Sequence, residues 1–556
     1  MIDKKTVQLS INYGGHDTSA ALSIGNTIIN ANEQERFDLS KHSRNFPKEA
    51  VFNCLKSNNL DITNVDKLIV TTDFRKAKIL KKKNRDLKIK EVNLKIRKEL
   101  GFKGRIITLD HHLCHLASAY YPSGFKKSIV LSIDGVGQYQ TAKLAIVTNG
   151  KIKICKFDAN YPHSLGLIYS ALTFFLGWKH HCDEGIIMGL APYGDPFKKI
   201  KNKDDSYIDI FRKIIPSHKK LGIKIDTDWI EYHKKRDVWL SKKFKNYFGK
   251  KRKYHEKILE HHKNIAAALQ LRLEEIVIEN LKKIKKKYKI NYLCIAGGVG
   301  LNCSLNGTIH DSNLFKKIFI QPAAGDAGLV LGGLYLSLKK EFPKKKLSKK
   351  IYSNYLGSSF TNKEIFKIIK QKNVKLIKSK NIYSSTANFL KKGKIVAWFQ
   401  GQSEFGPRAL GNRSILCRPY PSKMKDYLNK RVKFREYFRP FAPAVMQEKS
   451  SKYFHLSQTS PHMLIACKVK NSKKKKISAV VHVDNSCRVQ TVSKKNNLRF
   501  YNLIKEFNKI TSIPVLLNTS FNVKGQPIVN TPNQAIDTFT RTNIDILVIG
   551  DYIITK

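Results

Sequence analysis

The sequence is poor in acidic residues and in the features of secreted or membrane-embedded proteins. Nine cysteines occur among 556 residues, and none forms a Cys-x-x-Cys pair. A chain of this size is expected to keep such thiols reduced, which excludes a disulfide-stapled scaffold. No apolar run approaches the ~18–20 residues of a membrane span, and the residues after Met1 lack the apolar stretch of a signal peptide. We therefore expect a cytoplasmic protein.

The shortage of acidic residues leaves a formal net charge of +60, from 103 Lys and Arg against 43 Asp and Glu. A basic surface can bind nucleic acid or another polyanion. The basic residues are mostly scattered lysines, however, and Asn and Ile are also abundant, as an A+T-rich genome would produce on tolerant surfaces. Since charge alone does not define function, we do not expect a nucleic-acid partner.

The length indicates two domains. Strand patterns that end in glycine-containing turns alternate with long helical patterns, which is typical of an α/β domain with functional loops. Residues 339–350 are polar, lysine-rich and interrupted by proline, as in a linker. We therefore predict one domain at 1–345 and another at 351–556. Residues 197–262 are weakly patterned and are expected to form a mostly helical surface insertion.

A candidate metal site begins where a helical pattern carries two histidines. His111 and His115 are four residues apart, which puts them on one helix face with Cβ atoms roughly 5–6 Å apart. Two neutral imidazoles at that spacing can hold one divalent ion. Asp134, after the next strand pattern, and Asp326, in a later Gly-Asp-Ala-Gly loop, can add carboxylates.

This site has alternative interpretations. A surface helix with incidental histidines would show the same His-x-x-x-His spacing, and Asp326 is equally suited to cap a helix. If the four side chains do meet, mixed imidazole and carboxylate ligands admit Fe(II), Zn, Mn or Co.

Three glycine-containing turns at strand ends resemble the two phosphate loops and the adenosine loop of the actin/hexokinase/chaperone ATPase superfamily. They are Gly14 to Ser19, Asp134 to Thr141 and Gly297 to Asn302. Glycine lets the main chain approach a phosphate, and successive N–H groups can bind an anion. These turns predict a nucleotide site, although ordinary tight turns of an α/β domain also contain glycine.

The second predicted domain places several arginines beside Gly and Pro. Rigid arginines suit bidentate recognition of phosphate or carboxylate. The alternative for each is a structural salt bridge. These cationic positions are Arg408, Arg413, Lys433, Arg435, Arg439 and Arg488, and Asn518 follows them.

These segments resemble the O-carbamoyltransferase family that modifies nodulation factors, aminoglycosides and cephalosporins. The resemblance extends from His16 to Asp545, and its most specific parts are residues 404–414, 435–443 and 518–522. It implies an actin/hexokinase-like ATPase-superfamily N-terminal domain and an α+β YrdC-like C-terminal domain.

The resemblance also implies a reaction. Carbamoyl phosphate and ATP form carbamoyl-adenylate in the C-terminal domain, and the carbamoyl group then passes to a hydroxyl of a small molecule or glycan in the N-terminal domain. The family's metal is usually iron, so the implied cofactors are ATP and a divalent metal, with Fe(II) as the expected ion. The oligomeric state stays open, with a homodimer as one candidate.

The resemblance assigns roles by motif. His16 matches the candidate general base. The metal ligands match His111, His115, Asp134 and Asp326. The positions that match contacts to the adenylate are Asp134, Gly135, Gly137, Gln138, Gly297 and Gly298. Those that match residues handling carbamoyl phosphate and ATP are Arg408, Lys433, Arg439, Arg488 and Asn518.

The sequence departs from the family pattern at three places. Ile186 stands where Lys is common, Gln138 where Glu is usual, and residues 485–487 replace a Gly-Thr-Ala segment. The first two put details of nucleotide or acceptor binding in doubt. Two other functions remain open: threonylcarbamoyl transfer to tRNA, which the positive charge would suit, and a non-catalytic nucleotide-dependent binding module.

Overall fold

The chain folds into two compact units. The first joins Met1–Gly15 to Val65–Lys349, and the second joins His16–Asn64 to Lys350–Lys556. Both contain helices and sheets, so the predicted mixed α/β class is confirmed. The computed structural model describes residues 6–235, 237–343 and 354–556.

The compact units do not follow the order of the chain. Residues 16–64 pack with the C-terminal part, so the candidate base His16 lies in the second unit. The centre of the predicted linker, 344–350, and the predicted domain start at Ile351 lie outside the described residues. The domain division at those positions stays a prediction.

The strands are short and mostly buried. In chain order they are β1 (Val7–Asn12), β2 (Ser19–Ile24), β3 (Thr27–Glu33), β4 (Lys67–Val70), β5 (Arg105–Thr108), β6 (Lys127–Ile133), β7 (Ala142–Thr148), β8 (Lys151–Cys155), β9 (Tyr292–Ala296), β10 (Lys317–Ile320), β11 (Lys375–Ile377), β12 (Val396–Phe399), β13 (Arg413–Cys417), β14 (Ala442–Met446), β15 (Ala466–Lys468), β16 (Ser486–Arg488), β17 (Gln490–Val492), β18 (Val515–Ser520), β19 (Ile546–Ile549) and β20 (Tyr552–Thr555).

The α-helices range from single turns to a helix of 29 residues. They are α1 (Glu35–Asp38), α2 (Lys48–Lys56), α3 (Lys82–Leu100), α4 (His111–Ser123), α5 (Leu165–Phe175), α6 (Glu184–Leu190), α7 (Tyr207–Ile214), α8 (Lys242–Phe248), α9 (Glu260–Tyr288), α10 (Cys303–Asp311), α11 (Leu329–Glu341), α12 (Asn362–Ile369), α13 (Ile382–Lys391), α14 (Lys423–Leu428), α15 (Ser450–Tyr453), α16 (Leu498–Thr511) and α17 (Pro532–Thr540).

In the first unit, two sets of strands carry the predicted loops. β1, β4 and β5 are parallel, and a five-stranded sheet has the order β10-β9-β6-β7-β8. β6 runs parallel to β9, with Ser132 opposite Ala296. Because these neighbours end at the same sheet edge, the turns that begin at Asp134 and Gly297 lie side by side.

Packing between α4 and α11 brings a distant turn to the same region. Gly332 of α11 lies so close to the carbonyl of Cys114 in α4 that a Cβ atom would overlap it. Asp326 lies in the 3₁₀ turn directly before α11. The close packing of the two helices therefore places Asp326 next to the N-terminal part of α4.

The expectation for residues 197–262 was wrong. Among its described residues this segment contains α7, α8 and the start of α9, joined by long irregular stretches, and it buries Phe211, Trp229 and Phe244. Pro216 follows α7 and restricts the residue before it, while Gly249 ends α8 with a φ of 82°. These stops keep the helices short, and the apolar side chains form a local core.

The second unit is built on an eight-stranded sheet in the order β11-β20-β19-β12-β13-β18-β14-β17. α13 and α16 cover one face, where Trp398, Leu416 and Phe507 are fully buried in one apolar cluster. β2 and β3 form an antiparallel hairpin in this unit. The hairpin attaches to the C-terminal part through the N–H of Ala31, which donates to the carbonyl of Leu356.

Candidate functional site

The two histidines of the candidate metal site project from the first turns of α4. Asp110 caps the helix, because its Oδ1 accepts the N–H of Leu113 at 2.9 Å, and Lys143 Nζ donates to the same oxygen at 2.7 Å. The rings of His111 and His115 lie 4.8 Å apart between centroids. Both residues are buried, so the alternative of incidental surface histidines is wrong.

Asp134 faces the histidines with one carboxylate oxygen. Its Oδ2 lies 3.1 Å from His111 Nε2 and 3.5 Å from His115 Nε2. Its Oδ1 accepts the backbone N–H of Gly298 at 2.8 Å. The turn after β9 therefore orients the carboxylate and leaves Oδ2 directed at the two rings.

Asp326 completes the group. Its Oδ1 lies 3.6 Å from His111 Nε2 and 3.5 Å from His115 Nε2. α11 has Gly328 at its N-cap position without a side-chain cap, so the capping alternative for Asp326 is wrong. The four potential ligand atoms all lie within 4.8 Å of one another.

The chemistry of this group fits a divalent metal ion. Among the described residues, neither ring nitrogen of the buried His115 has a hydrogen-bond partner, and separations of 3.5 Å from carboxylates exceed those of good hydrogen bonds. Burial lowers the pKa of His115, but Asp134 and Asp326 outweigh it and raise that pKa to about 9. Two imidazoles and two carboxylates converge, and a cation would supply the missing partner.

His112 lies between the two candidate ligands in sequence, but its ring contacts other groups. Its Nδ1 lies 2.9 Å from Ser132 Oγ and its Nε2 lies 2.8 Å from the carbonyl oxygen of Gln140. Burial, followed by the charges of His111 and His115, lowers the pKa of His112 to about 3. The neutral ring therefore connects α4 to Ser132 of β6 and to the turn before β7. Because His112 does not face the candidate site, a variant at this position can serve as a control.

Two of the predicted nucleotide-loop glycines are required by the fold. Gly297 has a φ of +85°, and a Cβ atom there would overlap the main chain at Ile133. At Gly137 a Cβ atom would lie 2.9 Å from His111 Cδ2. Both glycines therefore allow the loops to approach the candidate ligands. The predicted contacts of Gly135, Gly137, Gly297 and Gly298 with an adenylate stay predictions.

Sequence reasoning missed a serine that supports the Asp134 loop. Ser164 Oγ donates to the carbonyl of Gly135 at 2.6 Å and accepts the N–H of Leu167 at 3.0 Å, which caps α5. Gly166 lies against the same loop, where a Cβ atom would be 2.7 Å from the carbonyl oxygen of Asp134. A Ser-x-Gly at the start of an apolar helical pattern was the available signal.

The structure explains the departure at Gln138. Its Oε1 accepts the backbone N–H of His111 at 2.9 Å, and its Nε2 donates to the carbonyl of Asp73 at 2.8 Å. A glutamate could make the first bond but not the second. Gln138 therefore holds the start of α4, and its predicted adenylate contact stays a prediction. Ile186, the other departure, is buried in α6.

In the second unit, half-buried arginines cluster around the buried Lys433. Its Nζ donates to the carbonyls of Ser520 and Asn522, both at 2.9 Å, and to Asn522 Oδ1 at 2.7 Å. Burial, followed by the charges of Arg435, Arg439 and Lys41, holds the pKa of Lys433 well below its ordinary value. The lysine is thus surrounded by neutral acceptors and by like charges.

Arg435 belongs to this cluster, although the family resemblance assigns it no role of its own. Its Nε is buried without a hydrogen-bond partner among the described residues, and its guanidinium carbon lies 4.2 Å from the ring centroid of Phe441. Burial and then the charges of Arg439 and Arg488 hold its pKa well below the ordinary value. We refer to Lys433, Arg435, Arg439 and Arg488 as the cationic cluster.

Asn518 links the predicted segments of this unit. It is buried in β18, and its Nδ2 donates to Gln490 Oε1 at 2.9 Å and to the carbonyl of Ala409 at 3.3 Å, next to Arg408. Among the described residues its Oδ1 has no partner. The predicted binding roles of Arg408 and Asn518 stay predictions.

Arg413 has a structural role, but through backbone carbonyls and not through the salt bridge that the alternative specified. Its side chain is fully buried and donates to the carbonyls of Gln400 at 2.6 Å and Ser358 at 3.0 Å. Glu404 Oε1 accepts backbone N–H groups of Leu410 and Asn412 at 2.6 and 2.8 Å. These two charged residues therefore shape the loop that presents Arg408.

The candidate base His16 is one-third exposed, with a side-chain exposure of 33%. Its Nδ1 lies 2.8 Å from Asp17 Oδ2, and Asp17 Oδ1 lies 2.7 Å from Nδ1 of His42. Sequence reasoning missed both partners. The His-Asp pair in sequence was the available signal for Asp17, whereas His42 is 25 residues away from it.

Comparisons with known proteins identify the family of the chain. A family model described as the carbamoyltransferase N-terminus matches residues 73–334, and one described as the carbamoyltransferase C-terminus matches residues 387–556. Among curated relatives, the nodulation protein NolNO of Sinorhizobium fredii is 35% identical, covering 97% of this chain and 79% of the relative. An uncharacterized protein of Synechocystis sp. is 34% identical, covering 99% and 96%.

Among solved structures, HypF of T. kodakarensis is similar with a TM-score of 0.36 at 12% identity, covering 63% of this chain and 49% of that one. A likeness this slight carries no argument about fold or function. Among the described residues, no helix is long and apolar enough to cross a membrane. The family models and the full-length relatives decide the assignment: the chain belongs to the carbamoyltransferase family and is a carbamoyltransferase enzyme.

Proposed function

We propose that this enzyme is an ATP-dependent O-carbamoyltransferase. It makes carbamoyl-adenylate from carbamoyl phosphate and ATP, and transfers the carbamoyl group to a hydroxyl of a small molecule or glycan. The observation that carries the proposal is the cationic cluster, because its four positive side chains, with Lys433 buried, exceed the one carboxylate, Glu436, that pairs with Arg439, and the excess charge favours an anion. Both co-substrates are anionic, and the nodulation protein among the relatives favours a small-molecule or glycan acceptor over tRNA.

In the first half-reaction, one water cleaves carbamoyl phosphate into carbamate and phosphate. A carbamate oxygen then attacks the α-phosphorus of ATP, and the bond from that phosphorus to the bridging oxygen breaks to release pyrophosphate. Fixed cations stabilise the charge that develops on the phosphoryl oxygens. The residues proposed to bind these co-substrates are Arg408, Lys433, Arg439, Arg488 and Asn518, and we include Arg435 because it lies in the cationic cluster.

In the second half-reaction, the acceptor oxygen bonds to the carbamoyl carbon while its proton passes to His16. The bond from that carbon to the adenylate oxygen breaks, and AMP leaves with the electron pair. A hydroxyl is a weak nucleophile at neutral pH, and an imidazole with a pKa near ~6.5 is suited to take its proton during attack. Loop contacts to the adenylate are proposed for Asp134, Gly135, Gly137, Gln138, Gly297 and Gly298.

His111, His115, Asp134 and Asp326 would hold a divalent metal, for which we propose Fe(II). When bound, such an ion supplies Lewis acidity that polarises a carbamoyl or phosphoryl oxygen. The protein's own contribution is to hold the ligands: Gly298 fixes Asp134, and Gln138 fixes the helix start that carries His111.

The purified enzyme with ATP and Fe(II) is expected to release pyrophosphate only when carbamoyl phosphate is added. A pyrophosphate assay coupled to mass detection of carbamoyl-adenylate measures this directly. Release with bicarbonate plus threonine, and none with carbamoyl phosphate, would instead support threonylcarbamoyl transfer. That alternative also predicts tRNA binding with a steep salt dependence. No nucleotide turnover with either set would support a binding module.

His16→Ala is expected to retain carbamoyl-phosphate-dependent pyrophosphate release and to lose transfer by about 10²- to 10⁴-fold, the usual contribution of general-base catalysis. Transfer is measured as AMP release in the presence of an aminoglycoside, whose hydroxyl serves as the carbamoyl acceptor. Loss of pyrophosphate release in the same variant would contradict the role given to His16, since the first half-reaction does not need it.

A further inference from the structure

Asp17 bridges two histidines in the second unit. His16 Nδ1 lies 2.8 Å from Asp17 Oδ2, and His42 Nδ1 lies 2.7 Å from Oδ1. The three side chains are 33%, 23% and 27% exposed for His16, Asp17 and His42. Each carboxylate oxygen therefore contacts one ring, and the side chain of His16 is the most exposed of the three.

The local backbone is built to hold this bridge. Asp17 and His42 both have a φ of 55°, and aspartate is among the residues that tolerate this left-handed conformation. The N–H of Thr18 donates to the carbonyl of Ser43 at 3.1 Å, which joins the two loops. Glu35 Oε2 accepts the N–H of His42 at 2.7 Å.

The bridge determines the tautomer of His16. An ionised carboxylate only accepts hydrogen bonds, so Nδ1 of each ring must be the donor. In the neutral ring of His16, Nε2 then carries the lone pair. A histidine acts as a base through the nitrogen that its orienting partner leaves unprotonated.

We propose that Asp17 is the positioning residue of the acceptor-activating base: it fixes His16 with Nε2 unprotonated and stabilises the imidazolium that forms when the ring takes the acceptor proton. This rests on the proposed function, in which His16 is the base. His42 holds the second oxygen of Asp17 and so limits rotation of the carboxylate.

The charge around the bridge is consistent with this role. Burial would raise the pKa of Asp17, but the hydrogen bonds and charges of His16 and His42 hold it below its ordinary value, so the carboxylate stays ionised. The other charged groups of the surrounding β3 and α1 are Glu33, Glu35, Arg36 and Asp38; Arg36 Nη2 pairs with Glu33 Oε2 at 2.6 Å.

The test measures the nucleophilicity of His16 in the full-length enzyme without needing the natural acceptor. Diethylpyrocarbonate reacts with an unprotonated imidazole nitrogen, and peptide mass spectrometry locates the product at His16. Its rate against pH yields the pKa of His16. Removing an adjacent carboxylate lowers a histidine pKa by about 1–3 units. Asp17→Asn is expected to lower the pKa of His16 by that amount. Asp17→Glu keeps a carboxylate and is expected to lower it less.

Asp38→Asn is the matched control. Asp38 lies in the same region and accepts bonds from Ser43 Oγ at 2.5 Å and Asn45 Nδ2 at 3.0 Å, with no contact to His16 among its hydrogen bonds. The Asp38→Asn variant should leave the pKa of His16 unchanged. An unchanged pKa in Asp17→Asn, or an equal shift in Asp38→Asn, overturns the inference.

Turnover separates this inference from the proposed function. Asp17→Asn should keep pyrophosphate release and reduce AMP release about 10²- to 10⁴-fold with the same aminoglycoside. Full AMP release in His16→Ala would refute the proposed base itself, whatever the Asp17 variants show. A normal His16 pKa in Asp17→Asn would refute only the positioning role.

Discussion

Replacing His115 with alanine is expected to reduce the affinity for a divalent metal by more than about 100-fold, since even the loss of a partner that only orients a ligand costs 10–100-fold. His115 is the candidate ligand whose ring nitrogens are both buried and without hydrogen-bond partners among the described residues. Its removal leaves Asp134 and Asp326 facing His111 alone. Metal content after Fe(II) loading and desalting, measured by plasma mass spectrometry, should fall from about one ion per chain to background.

Two further variants make this result interpretable. Asp326→Asn keeps the size of the side chain and removes a carboxylate that is 14% exposed, so it should lose metal without loss of the fold. His112→Gln changes the neighbouring histidine, which bonds to Ser132 and Gln140 instead of facing the ligands. Unchanged metal content in both His115→Ala and Asp326→Asn, or equal loss in His112→Gln, would contradict the proposed centre.

Arg488→Ala is expected to reduce carbamoyl-phosphate-dependent pyrophosphate release by about 10²- to 10³-fold, the typical effect of losing one preorganised group that stabilises developing charge. The charge of Arg488 acts on the half-buried Arg435. Loss of the Arg488 guanidinium therefore lowers the positive electrostatic potential at the proposed phosphate site. Initial rates at saturating ATP across a carbamoyl phosphate series measure the effect, and Arg408→Ala and Arg435→Ala should behave similarly.

Arg499→Ala is the matched control for this experiment. Arg499 also lies in the second unit, but it pairs with Asp551 at 2.6 Å and with Gln400 Oε1 at 2.7 Å, and its side chain is 38% exposed. Because a surface pair contributes little to stability, this variant should fold and release pyrophosphate at the normal rate. An equal loss in Arg499→Ala and Arg488→Ala would mean that overall basicity, and not the cationic cluster, supports the reaction.

Several parts of this site were predictable because they depend on local sequence. The spacing of His111 and His115 specifies one helix face, and α4 begins at His111 as the pattern requires. Strand patterns before Asp134 and Gly297 correspond to β6 and β9. Local periodicity fixes which side chains share a face, and glycine marks where the chain must turn.

Other parts of the site could not be predicted from local sequence because they depend on contacts between segments that are distant in the chain. Asp134 and Asp326 are 192 positions apart in sequence, and only the packing of α11 on α4 brings the latter to the histidines. The motif arginines looked alike in sequence, yet Arg413 donates to the carbonyls of Gln400 and Ser358 at 2.6 and 3.0 Å. Arg435, in contrast, makes a long contact of 3.4 Å to the carbonyl of Pro440. Tertiary structure sets how deeply each arginine is buried and which hydrogen-bond acceptors surround it. These two properties distinguish an arginine with a structural role from one that can bind an anion.

The sequence by itself determined the α/β class, the histidine pair, the glycine turns and the resemblance to carbamoyltransferases. Tertiary structure alone decided that Gln138 supports His111, that Asp17 joins His16 to His42, and that residues 16–64 pack with the C-terminal unit. The physical reason is that periodicity and turn chemistry act over a few residues. Hydrogen-bond partners, burial and local charge arise only when segments far apart in the chain are packed together.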